Sequence, residues 1–146
     1  MGVFVTGVRP RWSDMDAYGH VNHANTVTLL EEARVDLLFT EAVRLGVPDL
    51  REGVVVAKLV VEYLQPLLFS GGEVVVEMSV RELKSASFTL DYAVRGSRRP
   101  DSPVVARAET LMVPYNVAAG RPRRLSEAER DFLAGWRAGT PGGAGA

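Results

Sequence analysis

Cysteine is absent from this chain of 146 residues. Its absence excludes disulfide staples, a cysteine nucleophile and cysteine-ligated zinc, and it is compatible with the cytosol. No apolar stretch runs uninterrupted for the ~18 residues that a membrane helix needs. The start, Met1-Gly2-Val3-Phe4-Val5, has no basic segment ahead of a long apolar run, so no signal peptide is expected. Charge of one sign is missing too. With 17 Lys and Arg against 18 Asp and Glu, the net charge is -1, and no global field recruits nucleic acid or an anionic membrane. The G-x-S-x-G nucleophile elbow, the P-loop and a G-x-G-x-x-G fingerprint after a strand are also absent. The expectation from these absences is a soluble, cytoplasmic protein with no cofactor, no nucleic-acid partner and no membrane partner.

What is present is a globular composition, 47% hydrophobic and 24% charged. The length suits one domain able to bury roughly two thirds of its unfolded surface. Residues 1–139 are expected to form that domain, and the Gly/Ala/Pro-rich end, 140–146, a disordered tail. Apolar alternation from Phe4 to Trp12 predicts a first strand, with Pro10 marking an edge or a bulge. Thr26 to Leu45 predicts one long helix, with Val27, Leu30, Ala33, Leu37, Leu38 and Leu45 on its apolar face. Asn22 or Asn25 suits its N-cap, and Gly46 with Val47-Pro48 is its stop signal. Val54 to Gln65 is nearly all apolar, which predicts a central strand buried on both faces. Glu73 to Leu83 and Ser87 to Arg95 alternate cleanly and are joined tightly enough for an antiparallel hairpin. Val104 to Val113 is a less regular strand. The capping box Ser126-Glu127-Ala128-Glu129 predicts a short helix to about Arg137. A single long helix with an apolar face needs a sheet to cover it, so the fold class is α+β, an antiparallel sheet around one helix.

Chemistry concentrates in Arg11 to His23. This window holds two carboxylates, Asp14 and Asp16, and both histidines, His20 and His23, on the loop that leads into the long helix. Backbone N–H groups at a helix start are unpaired and carry partial positive charge, so they can polarise a carbonyl and hold the oxyanion formed when it is attacked. A nearby carboxylate can act as general base on water or attack the carbonyl itself, and an imidazole can orient either. Other readings of the same residues stay open. Asp14 and Asp16 can cap a turn, and His20 and His23 can satisfy backbone groups. Together with the aspartates the histidines could hold a metal, although their spacing fits no standard zinc pattern and no metal is expected.

The run Asp14-Met15-Asp16-Ala17-Tyr18-Gly19-His20-Val21-Asn22-His23, followed by Glu31-Glu32-Ala33-Arg34, resembles the signature of the 4-hydroxybenzoyl-CoA thioesterase-like family. The resemblance implies a hotdog fold, a five-stranded antiparallel sheet wrapped around one long helix, followed here by a short C-terminal helix. It also implies acyl-CoA as substrate, no cofactor, and a homodimer or homotetramer with active sites at the dimer interface. Carried over by position, the catalytic carboxylate is Asp16, with His23 orienting it or water and His20 in support. The helix-start amides from Gly19 through Val21 and Asn22 to His23 would bind the thioester oxygen. Thr26 stands where relatives often have tyrosine and would shape the acyl pocket. His23 stands where many relatives of the G-H-V-N pattern have a second asparagine.

Other positions carry weaker expectations. Glu31 lies on the long helix, where another branch of hotdog enzymes keeps a catalytic glutamate; pairing with Arg34 at i, i+3 is the competing reading. Lys84, Ser85 and Ser87 resemble positions lining the pantetheine channel in relatives. Arg95, Arg98 and Arg99, or Arg121, Arg123 and Arg124, could meet CoA phosphates or form solvated basic loops. Tyr63 and Pro66 read as structural. Two other functions fit the same fold: a hydratase or dehydratase of enoyl or hydroxyacyl thioesters, and a non-catalytic acyl-CoA binding protein.

Overall fold

Strict alternation decides the middle of the sheet. In the computed structural model, β3 (Val74–Leu83) and β4 (Phe88–Arg95) pair antiparallel, with Val76 opposite Val94 and Val80 opposite Leu90. Val74, Val76, Met78 and Val80 of β3 and Phe88, Leu90, Tyr92 and Val94 of β4 are all buried, as period-two placement on one face requires. β1 (Phe4–Val8) pairs with β3, β5 (Val104–Asn116) with β4, and β2 (Val54–Tyr63) with β5. The order β1-β3-β4-β5-β2 is antiparallel throughout, and a two-residue strand, β6 (Arg121–Pro122), extends the end of β5. The structure describes residues 2–68 and 71–139. The expected tail at 140–146 and part of the Ser70-Gly71-Gly72 joint lie outside the described residues.

The long helix starts earlier than its apolar pattern suggests. α1 (His23–Arg34) is capped by Asn22, whose side-chain oxygen accepts the Ala24 N–H at 2.9 Å. Its first turn is polar, so apolar periodicity does not mark it; the cap does. The helix continues through a π-helical stretch (Val35–Glu41) into α2 (Ala42–Arg44). The wider turn, in which the Ala42 N–H reaches the Leu37 carbonyl, keeps Leu37, Leu38 and Ala42 buried. Gly46 then takes φ +83°, the left-handed stop. Leu45, expected on the apolar face, falls past the helix end and is 38% exposed, while Leu29 and Thr26 turn inward. A further short helix, α3 (Asp49–Glu52), buries Leu50.

Two boundaries and one placement differ from expectation. The first strand stops at Val8, and Trp12–Asp14 form a 3-10 turn, because Pro10 gives the ladder no N–H. α4 (Glu127–Gly135) ends two residues before Arg137, and its capping box is formed: Ser126 Oγ accepts the Glu129 N–H at 3.1 Å and Glu129 Oε1 accepts the Ser126 N–H at 2.7 Å. The larger correction concerns β2. It is the edge strand, not a central one, and Val55, Val56, Leu59, Val60 and Tyr63 are 39–47% exposed. The core lies between the other strands and the helix, where Leu30, Ala33 and Leu37 meet Met78, Leu90 and Met112.

Two fully buried carboxylates give the fold a pH dependence. Asp14 bonds the Arg11 guanidinium (2.9 Å) and the Arg11 N–H (2.7 Å). The Arg11 side-chain bond holds its carboxyl below the usual range, against the opposing effect of burial. Burial pushes the Glu129 carboxyl up, but its bonds to Arg123 (2.8 Å) and Ser126 together outweigh that and hold it low. Both groups bind protons more weakly folded than unfolded. Their stabilisation is therefore complete above the ordinary carboxylate range, roughly pH 4, and is lost as pH falls through their lowered native values. The urea midpoint should fall as pH is lowered below about 4, and Glu129→Gln should flatten part of that fall.

Candidate active site

The window from Asp14 to Asn22 folds as a small hairpin before the helix. Met15 bridges Val21, and Asp16 and His20 exchange backbone contact through Asp16 N–H to His20 O at 2.8 Å. Gly19 donates to the Asp16 carbonyl at 3.2 Å and takes φ +76°, closing the turn. Asn22 N–H to Asp14 O (2.8 Å) closes the base, and Val21 N–H to Leu67 O (2.8 Å) ties the hairpin to the chain after β2.

The two aspartates sit in different surroundings. Asp14 is fully buried and paired with Arg11, which is the turn-capping reading. Asp16 is half-buried and lines an open cleft of about 440 Å³. Its Oδ1 accepts two backbone N–H groups, from Tyr18 (2.9 Å) and His20 (3.2 Å). Its Oδ2 accepts no hydrogen bond among the described residues. One oxygen of the carboxylate thus caps the turn, as the turn-capping reading has it, and the other faces the cleft side of the hairpin without a protein partner among the described residues.

His20, Val21, His23 and Thr26 line the same cleft. Thr26 is buried and its hydroxyl donates to the Asn22 carbonyl at 3.4 Å. Of the first-turn amides of α1, Ala24 is capped by Asn22, while those of His23 and Asn25 have no acceptor within the helix. Asn25 instead sends its side-chain Nδ2 to the Ser13 carbonyl, 3.3 Å away. Gly19 and Asn22 shape the turn and the cap rather than the cleft wall.

Two polar side chains of the cleft, Tyr63 and Gln65, were not singled out from sequence as site residues. Tyr63, at the end of β2, donates its hydroxyl to the His23 carbonyl, and its ring stands perpendicular to that of His23 at 6.3 Å. Burial pushes the Tyr63 hydroxyl pKa up, so it remains a donor at neutral pH. Gln65 follows it on the cleft wall. The signal for Tyr63 was its place at a strand end; Gln65 carried none.

Other expected positions lie elsewhere in the chain. Lys84, Ser85 and Ser87 form the β3–β4 turn, where Lys84 N–H meets Ser87 O (2.9 Å) and Ser85 O takes the Leu125 N–H (2.9 Å). Lys84 Nζ is 3.8 Å from Glu82. Glu31 is exposed and 4.0 Å from Arg34, as the i, i+3 reading has it. Arg95, Arg98, Arg99 and Arg123 are held by Glu77, Glu73, Asp101 and Glu129. Among the described residues, no group of three or more His, Cys, Asp or Glu side chains is placed to share a metal ion, and no helix is long and apolar enough to cross a membrane.

A family model described as the thioesterase-like superfamily matches residues 10–135. The chain is similar to a 1,4-dihydroxy-2-naphthoyl-CoA hydrolase of Rippkaea orientalis, 29% identical over 126 residues, covering 84% of this chain and 89% of that one. It is similar to a thioesterase from Thermus thermophilus solved with coenzyme A and Zn, with a TM-score of 0.73 and 29% identity over 94% of this chain and 95% of that one. A 1,4-dihydroxy-2-naphthoyl-CoA thioesterase from Synechocystis shares the fold, with a TM-score of 0.70 and 16% identity over 91% of this chain and 96% of that one. With its sheet laid over one long helix and nearly its whole length within the family pattern, the chain belongs to the hotdog-fold thioesterase-like superfamily.

Proposed function

We propose that this protein hydrolyses acyl-CoA thioesters to the free acid and CoA, with Asp16 as the working carboxylate. One observation carries the reading. Asp16 is held by two backbone amides on one oxygen, at an open cleft that also reaches the start of α1. The thioester carbonyl would lie on the helix-start amides near His23, where the helix dipole favours developing negative charge. Asp16 then acts as base toward water or attacks the carbonyl directly. His23 orients Asp16 or the water, and His20 supports the turn. The thiolate leaves readily, so no strong general acid is required.

Coenzyme A as the carrier is supported by the relatives: one is solved with it and another is named for a CoA thioester. The exposed apolar edge of β2 supports a homodimer built by joining two β2 strands, with a tetramer as a further step. The lack of cysteine fits a cytoplasmic enzyme.

Thiol release from a panel of short, long and aromatic acyl-CoAs tests the reaction, read with a thiol-reactive dye. Release that depends on Asp16 supports the proposal. Binding without release would favour a non-catalytic acyl-CoA protein, and loss of enoyl-CoA absorbance would favour a hydratase. Tyr63→Phe removes only the bond to the His23 carbonyl, and activity should fall about fivefold, the equivalent of one neutral hydrogen bond of ~1 kcal/mol.

A further inference from the structure

A second cavity, of about 280 Å³, lies between the long helix and the start of β2. Its walls are apolar: Val35, Leu38 and Phe39 from the helix, Val54 and Val56 from β2, and Met112 from β5. Two charged residues interrupt them, Arg34 and the exposed Glu31. Arg34 lines the cavity and is only 9% exposed.

The protein supplies this guanidinium with little. Of its five N–H donors, one reaches Tyr92 Oη at 3.3 Å. Tyr92 Oη shares a second hydrogen bond with Thr110 Oγ1 at 2.7 Å, so the arginine has one neutral hydroxyl acceptor, held in turn by the threonine. The ion pair with Glu31 spans 4.0 Å to a side chain that is 70% exposed. A buried cation with a loose partner is costly unless something completes it. A carboxylate does so best, because it takes two parallel N–H bonds from the guanidinium fork.

The place of the cavity says where such a carboxylate comes from. β2 has 10 residues and spans about 33 Å at ~3.3 Å per residue. The Asp16 cleft sits at its Tyr63 end and the Arg34 cavity at its Val54 end. Along α1 the two come nearer, since Arg34 stands eight residues beyond Thr26 of the cleft, about 12 Å at ~1.5 Å per residue, a span that short acyl groups do not cover within one protomer. If two β2 edges pair antiparallel about a two-fold axis, the Val54 end of one strand lies beside the Tyr63 end of the other. Such an axis is perpendicular to the sheet, so both helices stay on the same face.

We propose that the cavity is a carboxylate-reading subsite. In it Arg34 binds the distal anionic end of a dicarboxylic acyl group whose thioester lies at Asp16 of the partner subunit. An engineered cavity of about 150 Å³ holds benzene, so this one accommodates several methylenes together with the carboxylate. The inference rests on the thioesterase and dimer readings and adds to them the class of acyl group.

The test compares glutaryl-, adipyl-, suberyl- and sebacyl-CoA monothioesters with monocarboxylic acyl-CoAs of the same length. The expected result is a kcat/KM ratio that favours the dicarboxylic series at one or two lengths. That ratio should fall at least about tenfold in Arg34→Met and rise in Glu31→Gln, which removes the competing carboxylate. A wild-type enzyme with no such preference, or a preference unchanged in folded Arg34→Met, overturns the proposal. If Arg34→Met does not fold, Glu31→Gln decides at its exposed position, and an unmoved ratio overturns it.

Co-expression of Asp16→Asn with Arg34→Met subunits tests the crossing between protomers. Mixed dimers carry one intact site if Arg34 serves the partner's Asp16, and dicarboxylic turnover should reappear; no recovery overturns that placement. If no thioester is cleaved at all, the thioesterase reading fails separately. Calorimetry of suberyl-CoA against octanoyl-CoA then decides: tighter, Arg34-dependent suberyl binding supports the subsite, and equal affinities overturn it.

Discussion

Asp16→Asn should lower kcat for thioester hydrolysis by about 10³-fold, within the range for loss of a positioned general base or nucleophile. The substitution separates chemistry from structure. Asp16 Oδ1 accepts the Tyr18 and His20 N–H groups, and an asparagine carbonyl accepts both equally well, so the turn survives. What disappears is the charge and basicity of the second oxygen. Circular dichroism and the urea midpoint should be nearly unchanged while thiol release collapses. Because the chain has no cysteine, the dye assay carries no protein background and a residual rate is readable. Turnover within a factor of two or three of wild type would remove Asp16 from the mechanism. Asp14→Asn is the control of opposite kind. It touches the buried pair with Arg11 and should cost stability rather than turn off the reaction.

The second large effect is expected at the edge of the sheet. Leu59→Asp should convert the protein to a folded monomer at micromolar concentration and lower hydrolysis by about 10²-fold or more. Leu59 lies at the middle of β2 and is 39% exposed, among Val55, Val56, Val60 and Tyr63. An apolar edge of this kind is a template for another strand. Antiparallel self-pairing would bring the two mid-strand positions close together, so one substitution places two like charges near the axis. The same residue contributes little to the core of its own protomer, so the monomer should keep its helix and sheet content. Sedimentation velocity beside a kinetic assay checks both halves. A dimer that persists with Leu59→Asp would move the interface to another surface. A folded monomer with full activity would make the cleft complete in one chain.

The sheet and helix were legible in the residues where local chemistry decides structure. Strict alternation in β3 and β4, the Ser126–Glu129 capping box and the left-handed Gly46 all act within a few residues. So does the Asn22 cap, whereas the polar first turn from His23 to Asn25 hid the helix start from a reading based on apolar spacing. The two aspartates looked equivalent because their spacing is symmetrical. The family resemblance singles out Asp16, and the physical difference shows only when Arg11 is seen to fold back onto Asp14. Tyr63, the last residue of β2, and Gln65, just beyond it, reach the cleft through the path of the chain there, and no local pattern encodes that path. β2 was misplaced for a physical reason. An all-apolar run states that both faces and an edge want cover, and it does not say whether its own chain or another molecule provides it.

The π-helical stretch from Val35 to Glu41 bears on chain length. A π turn holds about one residue more than the α turn it replaces, so this part of the helix contains a spare position. Removing a single residue there would restore ordinary α pitch, with Leu30 and Ala33 on one side and Ala42 on the other still facing the sheet. The same deletion in α1 would rotate every later side chain by about 100° and expose the core. The middle of the helix is therefore the place where a homologue can be one residue shorter and keep the same fold.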